Sequence, residues 1–361
     1  MKKVLPFLKI LVGMAVFVLL VLAVAFFSTE LVREKRGDVV DFGEYRAEER
    51  DSIDVIFLGS SHVFMNVLPT TIWESEGITS YNVTSSVQVP AVSYYYLVEA
   101  PKTQSPLVVA YDPYIICQRY PDEWRALLAM GALPLSKNKL EAIENAVPEE
   151  YRYECRFELF AYHNNWNRLR KYDWTYALTK LFHADKVSFL KGSEISLDKV
   201  SATNQAYFYQ PIYTLPDEDA YAENFPFLLK IAETVREAGA ELLLFSTPCP
   251  NAGMTEYYLD RVEADLYAAG YEDVKVLDLN KYRNAMQFDY SRDMTDGTHC
   301  NATGAKKVSR QLASWLRENY EFPDRRADEK LAALWDAGVP LLDEYIENGV
   351  YRPWTEGAVV K

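Results

Sequence analysis

The sequence predicts an α/β three-layer sandwich, in which a parallel sheet is covered by helices on both faces and carried on an N-terminal transmembrane helix. Three observations predict it. An uncharged run of 18 residues, 10–27, opens the chain. After residue 50, short apolar runs of strand length alternate with amphipathic stretches of helical period. Between about 114 and 220 a helical, aromatic-rich stretch interrupts that alternation, so one domain with an insertion is expected.

The uncharged run corresponds to about 27 Å of helix, which nearly spans a bilayer. Lys9 can snorkel to the interface and let residues 4–8 add to the span. Lys2, Lys3 and Lys9 favour an inside N-terminus and so an extracytoplasmic domain, while Arg33, Lys35 and Arg36 beyond the run vote against it. A cleaved signal peptide competes, because Ala23-Val24-Ala25 resembles a peptidase site. The hydrophobic run continues through Phe26-Phe27, which favours an uncleaved anchor over residues 1–28. Residues 29–50 then read as a linker.

Within a domain over 51–320, strands are expected at 53–58, 80–83, 107–112, 241–246 and 275–279. Five such strands fit a flavodoxin-like sandwich. Phe225, Leu228, Leu229, Ala232 and Val235 fall on one helical face that Gly239 terminates, and Tyr258, Leu259, Val262 and Leu266 repeat the pattern before Gly270. Ala305, Val308, Leu312, Trp315 and Leu316 make the last helix of the domain, with Asn301 as its N-cap. The insertion carries Trp166, Trp174, Tyr207, Tyr209 and Tyr213 and reads as a lid or acceptor platform above the sheet. Residues 321–361 form a C-terminal extension with short helices around 331–335 and 341–346.

Composition excludes some function classes. A net charge of -14 leaves no basic stripe for nucleic acid and opposes a densely anionic polymer as acceptor. Cys117, Cys155, Cys249 and Cys300 show neither a disulfide framework nor metal-ligand spacing. A Cys249–Cys300 bridge and free buried thiols both remain open. No cofactor or metal is called for.

Two short motifs carry chemistry. The first strand runs into Gly59-Ser60-Ser61-His62, a turn that can raise a serine hydroxyl above a sheet edge. Asp296-Gly297-Thr298-His299 precedes the last helix of the domain, and an Asp three residues before a His can orient an imidazole as general base. The helix that follows places its positive end beside His299 and disfavours imidazolium at rest. Ser61, His299 and Asp296 are thus available for acyl transfer. A turn serine that merely caps the next segment is the competing reading of Ser61.

These blocks resemble blocks I and V of the SGNH/GDSL hydrolase superfamily, over roughly 50–120 and 220–320. Ser61 falls at the nucleophile position and Ser60 replaces the usual Asp. Gly-Ser-Ser behind a membrane anchor is similar to the cell-envelope acyltransferase branch, which includes D-alanyl-lipoteichoic acid biosynthesis and polysaccharide O-acetylation proteins. In the alginate acetyltransferases an Asp-Ser-His motif supplies acid and base from this position. With Ser60 where that Asp would be, His62 reads as a polar wall or substrate contact. Asn82 and His163 are further substrate-contact candidates, although a lone His among aromatics is more often structural.

The family's oxyanion donors are altered. Its Gly after the second strand and its Asn in Gly-x-Asn-Asp are replaced by Thr84-Ser85-Ser86-Val87-Gln88 and Ala110-Tyr111-Asp112-Pro113. The amides of Ser61 and Ser86 are the remaining candidates. The resemblance implies an extracytoplasmic, membrane-anchored O-acyltransferase, O-acetyl by expectation, acting on a cell-envelope or secreted polysaccharide. A membrane-bound O-acyltransferase is then its donor partner. An SGNH esterase or deacetylase is the same-chemistry alternative, and a non-catalytic assembly or carrier-binding protein is the alternative of another class.

Overall fold

The computed structural model describes residues 4–35, 38–119, 122–182, 186–198, 216–250 and 252–349. Strands β1 (Val55–Gly59), β2 (Ser80–Thr84), β3 (Val108–Tyr111), β4 (Glu241–Ser246) and β5 (Lys275–Asp278) form one parallel sheet in the order β2-β1-β3-β4-β5. All five expected strands are present. Their cores are apolar on both sides, as a doubly covered sheet requires. The order reverses between β1 and β3, and in such sheets the crevice beyond the carboxyl ends at that reversal receives ligands.

In chain order the helices are α1 (Val4–Val32), α2 (Phe42–Ala47), α3 (Ser61–Asn66), α4 (Pro69–Glu76), α5 (Pro90–Glu99), α6 (Glu123–Ala132), α7 (Lys137–Ala146) and α8 (Arg152–Arg156). Then follow α9 (Glu158–Ala161), α10 (Lys171–Leu181), α11 (Glu218–Glu237), α12 (Ala252–Ala268), α13 (Tyr290–Asp293), α14 (Ala302–Asn319), α15 (Glu329–Asp336) and α16 (Gly338–Asn348). Helices α5, α11 and α12 cover one face, burying Tyr96, Leu228 and Val262 against Ile56 and Leu244. On the other, α3, α4 and α14 bury Val63, Ile72, Val308 and Leu312 against Phe57 and Phe245.

Helix α1 is long and apolar enough to cross a membrane from Leu8 to Val32. It does not end at residue 28. Its last turn enters the domain, where Leu31 and Val32 are buried and Arg33, just beyond, pairs with Glu30 at 2.8 Å and Glu158 at 2.7 Å. The expected linker over 29–50 is therefore largely built structure. The Val40 amide donates to the Thr84 carbonyl at 2.7 Å, and α2 buries Phe42 and Tyr45 against Tyr96 and Tyr81. Those aromatic contacts explain why the segment orders.

The insertion is helical, as expected, but its placement differs. Helices α6–α10 form a cluster that packs through α7 on α5 and through α9 and α10 on the C-terminal end of α1, so these helices form no lid above Ser61. Tyr207, Tyr209 and Tyr213 lie outside the described residues. Residues 186–198 return to the sheet, where the Asn82 amide donates to the Lys191 carbonyl at 3.0 Å. Gly192 sits at φ +81°, and a Cβ there would stand 2.2 Å from the Asn82 carbonyl oxygen. The C-terminal helices brace α4: Trp73 packs on Trp335 at 5.6 Å and donates from Nε1 to Asp336 at 2.8 Å.

Candidate active site

Ser61 stands where β1 ends. Gly59 adopts φ +151°, and a Cβ there would lie 2.5 Å from Val63 Cγ2 and 3.1 Å from Asp112 Cβ, so only glycine lets the strand turn this tightly. Ser60 follows as the extended N-cap of α3, leaving Ser61 as its first residue. At the first helical position the Ser61 amide has no intrahelical acceptor, so its N–H is available to a developing oxyanion.

His299 reaches the same point from the other end of the chain. Its loop is pinched by a bridge between Met294 and Cys300 and by a bond from the Thr295 amide to the His299 carbonyl at 2.9 Å. Asp296 Oδ1 accepts the amides of Thr298 and His299 at 2.8 and 2.9 Å, freeing Oδ2 to accept from His299 Nδ1 at 2.7 Å. That bond fixes the tautomer, with Nε2 as the acceptor, and Nε2 lies 2.8 Å from Ser61 Oγ. Asn301 caps α14 through the Thr303 and Gly304 amides. Partial burial works to raise the Asp296 pKa, but the His299 ring and the two amides outweigh it and hold the carboxyl well below the usual carboxylate range. The serine, histidine and aspartate picked out by sequence therefore form one continuous hydrogen-bonded chain.

Other expected site residues are placed differently. The Ser86 amide donates to the Asp38 carbonyl at 2.9 Å, so it is not free to serve an oxyanion; the segment leaving α1 occupies that position. Asn82 is fully buried on β2 and donates from Nδ2 to the Val67 carbonyl and Ser193 Oγ, a packing role rather than a substrate contact. His163 sits on the exposed 3-10 turn His163–Arg168, donating from Nδ1 to the Phe160 carbonyl at 2.6 Å; that turn packs against α1, away from Ser61. Cys249 and Cys300 are buried and are not bridged to each other.

His62 does line the site, as a buried wall. Its ring stacks on Tyr114 at 3.6 Å and meets His299 edge-on at 5.9 Å. Burial, reinforced by His299, pushes its pKa down to about 3, so the ring is neutral at ordinary pH. Its Nδ1 is 3.7 Å from Asp112 Oδ2, too long for a hydrogen bond. Asp112 closes β3, with its amide on the Leu58 carbonyl and its Oδ1 accepting the Tyr114 amide at 2.9 Å. Its Oδ2 is buried without a hydrogen-bond partner among the described residues, and burial pushes the carboxyl up to about 7.

Sequence reasoning missed Asn66. From the last position of α3 its Oδ1 accepts the Cys300 amide at 2.7 Å while its Nδ2 donates to Thr247 Oγ1 at 2.7 Å. One side chain thus ties the helix that carries Ser61 to the loop that carries His299. A lone Asn five residues after Ser61 gives no pattern to notice. Asp112 and Tyr114 had a signal, their position directly after the third strand. Among the described residues no group of three His, Cys, Asp or Glu side chains is placed to hold a metal ion. A cavity of about 410 Å³ lies at the C-terminal end of α1, lined by Arg33, Lys35, Phe42, Tyr81, Tyr176 and Ser193, and none of the three catalytic candidates lines it.

No protein-family model matches this chain, and no curated protein does.

Proposed function

We propose that this chain is an extracytoplasmic, membrane-anchored O-acyltransferase on an SGNH-like scaffold, transferring an acyl group, acetyl in the simplest case, to a cell-envelope or secreted polysaccharide. The observation that carries this reading is the bond chain Ser61 Oγ–His299 Nε2 at 2.8 Å and His299 Nδ1–Asp296 Oδ2 at 2.7 Å, assembled from two blocks 238 residues apart. Ser61 would pass its proton to His299 as it attacks the acyl carbonyl, and His299 would return that proton to the leaving group. A sugar hydroxyl then repeats the sequence in reverse and takes the acyl group from the serine ester.

The anchor supports the membrane part of the reading. Thr84, whose carbonyl accepts from Val40, is the register partner of Gly59, so the segment leaving α1 is bonded to the sheet edge that carries the nucleophile. A donor presented at the membrane, such as a membrane-bound O-acyltransferase, would meet Ser61 from that side. With the Ser86 amide engaged, oxyanion stabilisation rests more heavily on Ser61, which suits an activated donor better than a plain ester.

The test is trapping. Incubation with p-nitrophenyl acetate should add one acetyl group to the peptide containing Ser61, with slow turnover in water and faster turnover when the acceptor oligosaccharide is added. Rapid hydrolysis that no glycan diverts would make the protein an esterase. Absence of any Ser61 adduct, with an active-site serine probe also failing, would leave a non-catalytic scaffold.

A further inference from the structure

The helices that clamp the C-terminal end of α1 expose several large aromatic side chains, and two contacts tie that set to the point where the apolar run stops. The domain first covers α1 at Phe27, the last residue of the 18-residue uncharged run. There the Phe27 ring meets Trp174 of α10 at 6.0 Å. Five residues, about 7.5 Å, further along the helix, the Val32 carbonyl accepts from Asn165, next to Trp166. The headgroup layer on each side of a bilayer is roughly 5–8 Å thick. A helix spanning the hydrocarbon up to Phe27 would hold Trp174 at the hydrocarbon boundary and Trp166 within that layer.

The neighbouring side chains continue the pattern. Phe157, Phe160 and Trp166 are exposed on the α8–α10 region, and Phe182 is 72% exposed just past α10. On α10, Trp174 and Leu178 precede Phe182 at intervals of four residues, one helical stripe turned to solvent. Exposed aromatics in such a cluster are unusual for a surface that faces only water. Charge agrees: residues 152–182 hold six basic and three acidic side chains, a net +3, in a chain whose net charge is -14. Tryptophan, tyrosine and basic residues are the groups that favour the membrane interface.

The clamp is stiff. Arg33 joins Glu30 and Glu158, Lys139 joins Glu158 at 2.6 Å, and Lys35 joins Asp173 at 3.1 Å, all on mostly buried side chains. We propose that residues 152–182 form a membrane-seated collar whose aromatic side chains insert into the interfacial layer of the bilayer around α1. The catalytic edge of the sheet is then held at a fixed height over the lipid instead of swinging on a tether. This rests on the reading that α1 spans the membrane.

The experiment uses the full chain in vesicles of equal parts phosphatidylethanolamine and phosphatidylglycerol. The four native cysteines are buried, so an environment-sensitive fluorophore can be placed selectively on Val16→Cys in α1, Phe160→Cys and Phe182→Cys in the collar, and exposed Tyr267→Cys on α12. Nitroxide near the lipid headgroup should quench the label at 160 and 182 at least twofold and leave 267 unchanged, while nitroxide deep in the acyl chain should quench 16. Quenching at 16 with none at 160 or 182 would overturn the collar and leave the anchor standing. No quenching at 16 would overturn the anchor and the collar with it. Labels at 160 and 182 that are dry, unquenched by lipid and cross-linkable between copies would make the surface a protein interface. Brominated lipid offers a check without labels: it should dim the tryptophan emission of the native chain, and the W166F/W174F double variant should lose most of that response.

Discussion

Replacing Asp112 by Asn should change how stability depends on pH, because the carboxyl is buried beside β1 with one oxygen unpartnered. The group moves from its ordinary 3.8 to about 7 in the folded chain. A raised folded value means the native state binds the proton more tightly than the unfolded chain, so the contribution is fully present below about pH 4 and lost as pH rises through 7. About three units at roughly 1.4 kcal/mol each sets a ceiling near 4 kcal/mol, and local relaxation or water entry lowers it, so we expect a swing of roughly 2–4 kcal/mol. Asn keeps the acceptor for the Tyr114 amide, places an N–H₂ where Oδ2 lacked a partner, and carries no charge at any pH. Urea unfolding of wild type and D112N in detergent, at intervals from pH 4 to 8, gives the difference directly. His62, held near 3, stays neutral in the folded state over that range and cancels in the difference. The variant should gain relative stability as pH rises, with most of the change between 4 and 7. Two parallel profiles, differing by a constant, would refute the reasoning and mean that Asp112 ionises no less easily folded than unfolded.

Ser61→Ala, His299→Ala and the double variant should each lose about 10⁴-fold or more in acyl transfer, without additivity, because the members of one catalytic unit fail together. His62→Ala should stay within about tenfold of wild type, since its ring is a neutral wall beside His299; an inactive His62→Ala with an active His299→Ala would reverse the assignment of the base. Asn66→Ala strips the partner from the buried Cys300 amide and from Thr247, which costs about 1–3 kcal/mol. By loosening His299 relative to Ser61 it should lower kcat roughly 10–100-fold with little change in KM, and unchanged kcat would remove the positioning role. Gly192→Ala meets both a left-handed backbone and the Asn82 carbonyl, and chemical unfolding should show a loss of about 2–4 kcal/mol.

How much of this was legible in the sequence follows from which interactions are local. β1 and its turn were readable because an apolar run ending in Gly-Ser-Ser determines a buried strand and a sharp exit within ten residues. Asp296 and His299 were readable for the same reason, since the carboxylate bonds the amides and ring of residues two and three positions away. Helices α11, α12 and α14 announced themselves by period. What escaped was contact between distant segments whose residue types are ordinary. Asn66 meets Cys300 across 234 positions, and nothing in either sequence neighbourhood marks the pairing. Residues 29–50 looked like a linker because their charge hides Phe42 and Tyr45, whose partners Tyr96 and Tyr81 lie on other elements.

The same non-local pairing explains why the oxyanion expectation failed at Ser86, whose amide is engaged. The Ser61 amide lies at the start of a helix, where geometry alone leaves it unbonded. The Ser86 amide lies just past the end of β2, an edge strand, and an edge strand's free polar groups invite another segment to pair. The segment leaving α1 does so: Val40 donates to Thr84, Val39 bridges Ser85, and Asp38 accepts from Ser86. Attachment of the anchor and loss of that donor are therefore one structural event. Under the proposed function, the chain has traded a second oxyanion amide for a fixed link between its membrane helix and its catalytic edge, a trade that favours a donor already activated and already at the membrane.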